Sequence, residues 1–164
     1  MAETKYIVFL INDQKYCMDL SKIKGIESDY QVVRIPSSAD FIRGIIHLRN
    51  EIVPIYDLKE RFEQENDYSG STVQLLVTET HNLKLGIEVD DVVGIVGVED
   101  EDIKDVPGVV TTDETDYLEN IIRIDSDNKG HKEIILCVSV DKLITDEEAE
   151  ALEELIEEEN SQEG

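Results

Sequence analysis

Apolar residues in this chain fall into short runs separated by turn chemistry, a pattern of strands rather than of long helices. Tyr6–Ile11 is followed by Asn12-Asp13-Gln14, then by Lys15–Leu20 as a second strand. Leu20, Ile23 and Ile26 recur at a spacing that predicts a helix of one to two turns, capped by Asp19 or Ser21. Val32–Ile35 runs extended into Pro36. Gly44–Leu48 and Glu51–Tyr56 flank Arg49-Asn50, a two-residue link suited to a tight hairpin, where Asn tolerates positive φ. Pro54 has no N–H to donate, which predicts an edge strand or a bulge. Asp57 then caps a short helical turn through Phe62.

Gln64–Ser71 is polar and reads as a connection between two halves. Thr72–Thr80 and Leu83–Val89 form a hairpin about His81-Asn82, and Val92–Val98 continues the meander. Glu99–Asp105 is an acidic loop or short helix, and Ile121–Asp125 joins Glu133–Val140 through the turn-rich Ser126–His131. The period changes at the end. Thr145 and Glu148 match a capping box, and Ala149, Leu152, Leu155 and Ile156 recur at helical spacing. The pattern therefore predicts an all-β body of small barrels or sandwiches over 1–145, divided near 64–71. An acidic helix and tail over 146–164 follows, fraying near Asn160.

Composition sharpens this picture. The chain is 40% hydrophobic but only 5% aromatic, with no Trp, so its core rests on Ile, Val and Leu, which favour strands. The formal net charge is −24. Residues 146–164 hold 10 acids and no base; residues 1–65 are nearly balanced, with 9 bases against 11 acids. Binding to nucleic acid or to an anionic membrane needs clustered Lys and Arg, so a protein partner is favoured by elimination. Met1–Thr4 is short and acidic, unlike a secretory leader, and no apolar stretch approaches a membrane span. Cys17 and Cys137 read as lone buried thiols of a reducing cytosol, not as a disulfide or a nucleophile.

Site chemistry is sparse. Asp125-x-Asp127-x-Lys129-Gly130 begins like a calcium loop but places Lys129 and Leu136 where oxygen ligands belong. His47, His81 and His131 are scattered over turn-like positions without metal spacing and read as solvated or locally bonded. Glycine-rich phosphate loops and the nucleophile elbow are absent. Acid pairs such as Asp90-Asp91 would point to opposite faces of a strand and make no dyad. No cofactor or metal is expected.

The run Phe41-Ile42-Arg43-Gly44-Ile45-Ile46-His47-Leu48-Arg49-Asn50-Glu51-Ile52-Val53-Pro54-Ile55-Tyr56-Asp57-Leu58 resembles the signature of the CheW-like domain. Tyr6-Ile7-Val8-Phe9 with Tyr16, Val33-Arg34-Ile35-Pro36, and Leu85-Gly86-Ile87-Glu88-Val89-Asp90-Asp91-Val92 agree with further family segments in order and distance. Two positions depart: His47 replaces the usual Asn, and Asn50 the usual Gly. The resemblance spans residue 5 to about 145. It implies two five-stranded SH3-like β-barrel lobes packed over an apolar seam, with a C-terminal amphipathic helix.

Family members are non-enzymatic chemotaxis adaptors, so the resemblance implies two partners. One is the regulatory domain of a CheA-type histidine kinase. The other is the cytoplasmic tip of a methyl-accepting chemotaxis protein, received in a groove between the lobes. Nucleic acid and direct membrane binding are not implied, and the expected location is cytoplasmic, in chemoreceptor arrays. Carried over by position, the receptor-binding residues are Ile23 on the short helix, Arg49 at the hairpin, Val73 at the start of its strand, and Ile95. Read from the residues alone, Ile23, Val73 and Ile95 would be ordinary core and Arg49 a solvated turn residue. Two other functions stay open: an adaptor for a kinase pathway outside chemotaxis, and a small acidic metal-binding or catalytic β protein.

Overall fold

The structure, a computed structural model, describes residues 3–35, 41–62, 73–106, 117–125 and 130–163. Twelve strands and two α-helices follow one another among these residues. The first half holds β1 (Glu3–Ile11), β2 (Gln14–Asp19), β3 (Ile23–Glu27), β4 (Val33–Arg34), β5 (Ile42–Leu48), β6 (Glu51–Tyr56) and α1 (Leu58–Arg61). The second holds β7 (Gln74–Thr80), β8 (Leu83–Val89), β9 (Asp91–Glu99), β10 (Ile103–Asp105), β11 (Leu118–Asp125), β12 (Lys132–Val138) and α2 (Asp146–Glu163).

These elements form two compact units, each built from two separate stretches of chain: Met1–Lys22 with Asp91–Leu143, and Ile23–Asp90 with Ile144–Gly164. The expected dividing segment 64–71 lies outside the described residues, and the stretches on both sides of it belong to the same unit. The all-β body with a C-terminal helix is as expected, but each sheet has six strands rather than five. The extra strands are the shortest ones, β4 and β10, each an end strand of its sheet. Among the described residues neither sheet closes on itself.

In the first unit the order is β10-β11-β12-β2-β1-β9, antiparallel except where β12 runs parallel to β2. Tyr6, Val8, Cys17, Val98, Ile122, Ile135 and Cys137 pack into its core cluster. Cys17 and Cys137 correct the sequence reading. They are register partners on β2 and β12, with Cα atoms 4.7 Å apart, and form a disulfide. Partners 120 residues apart leave no local signal in a sequence.

The second unit orders its strands β3-β7-β8-β6-β5-β4, with β6 and β8 parallel. Ile46, Val53, Ile55, Leu75 and Val77 form its core cluster. Here the predicted helix over 19–26 is corrected. Only Leu20–Lys22 makes a 3-10 turn, with Ser21 N–H donating to Asp19 Oδ1 at 2.9 Å. Ile23–Glu27 is a strand of alternating burial, because pairing with β7 engages four of its five residues, with an irregularity at Lys24. Pro54 also departs from expectation. Its strand lies inside the sheet, yet the ladder to β8 begins only at Ile55, so the missing N–H interrupts nothing on that side.

Three two-residue turns share one geometry. Asn12-Asp13, Arg49-Asn50 and His81-Asn82 all have positive φ at both positions, the type I′ pattern that matches strand twist. The signature glycine Gly44 has a steric cause: a Cβ there would collide with the Val33 carbonyl oxygen of β4. At the chain's end the capping box forms as expected. Glu148 N–H donates to Thr145 Oγ1 at 3.0 Å, and Thr145 N–H to Glu148 Oε1 at 2.9 Å. The helix runs on to Glu163, past the expected fraying point, and buries Ala149 and Leu152.

Candidate functional site

Residues 42–56 position the most exposed of the predicted site residues. Register pairing of β5 with β6 brings Leu48 opposite Glu51 and leaves Arg49-Asn50 as the tip. The Arg49 side chain is 83% exposed, and its Nη2 lies 3.3 Å from Glu27 Oε1 at the end of β3. An exposed pair of this kind contributes roughly 0–1 kcal/mol, so Glu27 orients the guanidinium without committing it. Lys24, Gly25, Glu27, Leu48, Arg49, Glu51, Val77 and Lys84 line a cavity of about 140 Å³ there. Lys84 Nζ, 2.7 Å from Glu51 Oε2, supplies a second cation at this tip.

Val73 precedes β7 and is half-buried. It lines a cavity of about 300 Å³ with Ser28, Tyr30, Val32, Arg43 and Glu88. The Glu88 side chain is only 2% exposed, a cost that hydrogen bonding must offset. Tyr30 Oη donates to Glu88 Oε2 at 2.7 Å, and Arg43 Nη1 donates to Glu88 Oε1. Desolvation first, and the bond to Glu88 second, push the Tyr30 hydroxyl well above its ordinary range, so it remains a donor. The wall beside Val73 is therefore a satisfied polar cluster rather than a reactive one.

Ile23 is corrected in place: it opens β3 instead of sitting on a helix, and is half-buried opposite Thr78. Arg49 meets the last residue of that strand and Ile23 is its first, so the two mark opposite ends of β3. Ile95 belongs to the other unit. It is 58% exposed on β9, an end strand of its sheet, and shares its face with exposed Val93. The structure thus groups Arg49, Val73 and Ile23 in one unit and gives Ile95 to the other. Glu27, Tyr30, Arg43 and Glu88 received no site role from the sequence, because their pairings join residues 22 to 58 positions apart.

No group of His, Cys, Asp and Glu with metal-holding geometry occurs among the described residues, and residues 126–129 of the calcium-like loop lie outside them. Within the described residues, no helix is long and apolar enough to cross a membrane. The arrangement places an exposed guanidinium, paired with Glu27, at the hairpin tip beside half-buried Leu48.

Comparison with known proteins agrees with the signature. The family model described as CheW-like domain matches residues 5–148. Chemotaxis protein CheW of Klebsiella aerogenes is 32% identical over 145 residues, covering 88% of this chain and 83% of that protein. Its namesake in Treponema pallidum is 29% identical over 156 residues, covering 91% and 86%. Among solved structures, the scaffolding protein TtCheW of Thermoanaerobacter tengcongensis superimposes with a TM-score of 0.76 at 27% identity, covering 90% of this chain and 97% of that one.

Proposed function

The chain belongs to the CheW-like domain family, and on that footing we propose that it couples methyl-accepting chemotaxis proteins to a CheA-type histidine kinase. Membership makes it a scaffolding adaptor of chemotaxis, not an enzyme. The coupling itself is a division of labour. One surface holds the regulatory domain of the kinase, and another holds the cytoplasmic tip of the receptor, within arrays at the inner face of the membrane.

Arg49 carries the receptor contact. Its side chain is 83% exposed at the tip of a two-residue turn, and its partner Glu27 is an exchangeable one. A receptor carboxylate or helix-end carbonyl replaces Glu27 and accepts two N–H bonds from the planar guanidinium. Ile23 and Val73 add apolar contact from the same unit, and Ile95 adds it from β9. The charge balance favours this placement, since residues 1–65 hold 9 of the chain's 15 bases, including Arg49.

The test is reconstitution. Purified receptor signalling fragment, kinase and this protein are mixed, and phosphate incorporation into the kinase is followed. Kinase activity should rise several-fold only when all three are present. Unchanged activity, with no co-sedimentation of the kinase, would overturn the proposal.

A further inference from the structure

The first unit is assembled from two stretches of chain separated by residues 23–90, and one cysteine stands on each. Two ladders join those stretches: the antiparallel β1–β9 ladder, with eight register pairs, and the parallel ladder of β12 with β2, which has only two, Leu136 with Tyr16 and Cys137 with Cys17. Half of that ladder is therefore the cysteine pair. A salt bridge from Lys15 Nζ to Glu133 Oε1, 3.2 Å and partly exposed, runs beside it. Cys17 and Cys137 are 0% and 1% exposed, packed among Tyr6, Val8, Val98, Ile122 and Ile135.

We propose that Cys17 and Cys137 are a redox-controlled staple. A small-molecule disulfide such as oxidised glutathione closes it, and a dithiol reductant opens it. One cysteine thiolate attacks a sulfur of oxidised glutathione, forms a mixed disulfide and releases one glutathione thiolate. The second cysteine, deprotonated, attacks the protein sulfur of that mixed disulfide, forms the Cys17–Cys137 bond and expels the second glutathione. Two electrons and two protons leave the protein and appear in two molecules of reduced glutathione.

Burial decides when this happens. Exchange needs an accessible thiolate, so the state is set during folding or when the short β12–β2 ladder opens, and the folded protein keeps it. Both states fold, because a reduced cysteine in an apolar cluster behaves as a small hydrophobe. They differ mainly in the unfolded chain. The bond closes a loop of 120-residue separation, and that loop contains all of the 23–90 stretch, so its loss frees a large amount of chain entropy. Redox state thereby sets how readily the first unit comes apart.

The experiment uses the full chain, refolded from urea in oxidised glutathione or in excess dithiothreitol. Each product is denatured, alkylated with N-ethylmaleimide and weighed by mass spectrometry, and its melting temperature is recorded without denaturant. The expected result is no adduct after oxidation and two after reduction, with the oxidised form melting on the order of 10 °C higher. Cys17→Ala and Cys137→Ala should each melt at one temperature under both conditions. Should either variant fail to fold, the comparison of the two wild-type forms decides alone. Two adducts, two bound glutathiones or disulfide-linked dimers after oxidation would overturn the proposal, as would equal melting temperatures for the zero-adduct and two-adduct forms.

Discussion

Lys59 of α1 and Asp90, the residue after β8, form an ion pair inside the second unit, Nζ to Oδ1 2.7 Å, with the lysine side chain 1% exposed. An ammonium withdrawn this far from water is tolerable only beside its counter-charge. The pair ties the turn that ends the signature run to the point where the chain crosses from one unit to the other. Lys59→Met should cost about 3–5 kcal/mol in urea unfolding, because it strips the Asp90 carboxylate of this ammonium. Adding Asp90→Leu should recover much of the loss. A single-variant cost below about 1 kcal/mol would mean that the pair does not hold this corner.

Tyr30 gives the pH dependence. Its hydroxyl is raised above the ordinary 10.0, chiefly by desolvation and then by Glu88. The folded protein therefore keeps a proton that the unfolded chain loses above about pH 10, so stability is full below that value and falls as pH rises through it. Tyr6 is raised in the same direction by burial, so Tyr30→Phe should lessen the alkaline decline, not abolish it. At pH 7 the same variant should cost about 1.5–3 kcal/mol, the range for a hydrogen bond to a charged acceptor. Melting curves from pH 7 to 11 make both comparisons.

The acidic helix should be a stabilising element rather than a binding one. Thr145→Ala breaks the capping box and should cost about 0.5–2 kcal/mol. Truncation after Thr145 also removes Ala149 and Leu152 from their buried sites and should lower the melting temperature further. Removing Glu157–Gly164 should leave both folding and kinase affinity unchanged. Loss of kinase binding on that shorter cut would make the tail a contact surface.

The parts of this fold legible in the sequence were the local ones. Asn12-Asp13, Arg49-Asn50 and His81-Asn82 announce hairpins because turn chemistry acts over two residues, and Thr145 with Glu148 announces a helix start over four. Ile23 shows where local spacing misleads: apolar residues at 20, 23 and 26 fit a helical face, but pairing with β7 made the segment a strand. The interleaving of the units was hidden for a different reason. The parallel ladders of β2 with β12 and of β6 with β8 join residues about 120 and 31 positions apart, beyond the reach of any periodicity. At the site, Arg49 stood out through its turn and the family signature, while Glu27, which orients it, carried no signal at all.

Arg49 is the residue on which the coupling account rests. Exposed and paired with an exchangeable carboxylate, it should be removable at little cost, with Arg49→Ala within about 0.5 kcal/mol of the parent protein. Receptor affinity should fall by on the order of 2 kcal/mol, and Arg49→Glu should be worse, because it opposes a carboxylate partner with like charge. The direct measurement is receptor-dependent kinase activation in the three-component assay, with melting temperature and kinase affinity measured on the same samples. Both variants should melt normally and bind the kinase normally, yet fail to transmit receptor control. Full activation by both would contradict the assignment of Arg49 to the receptor contact.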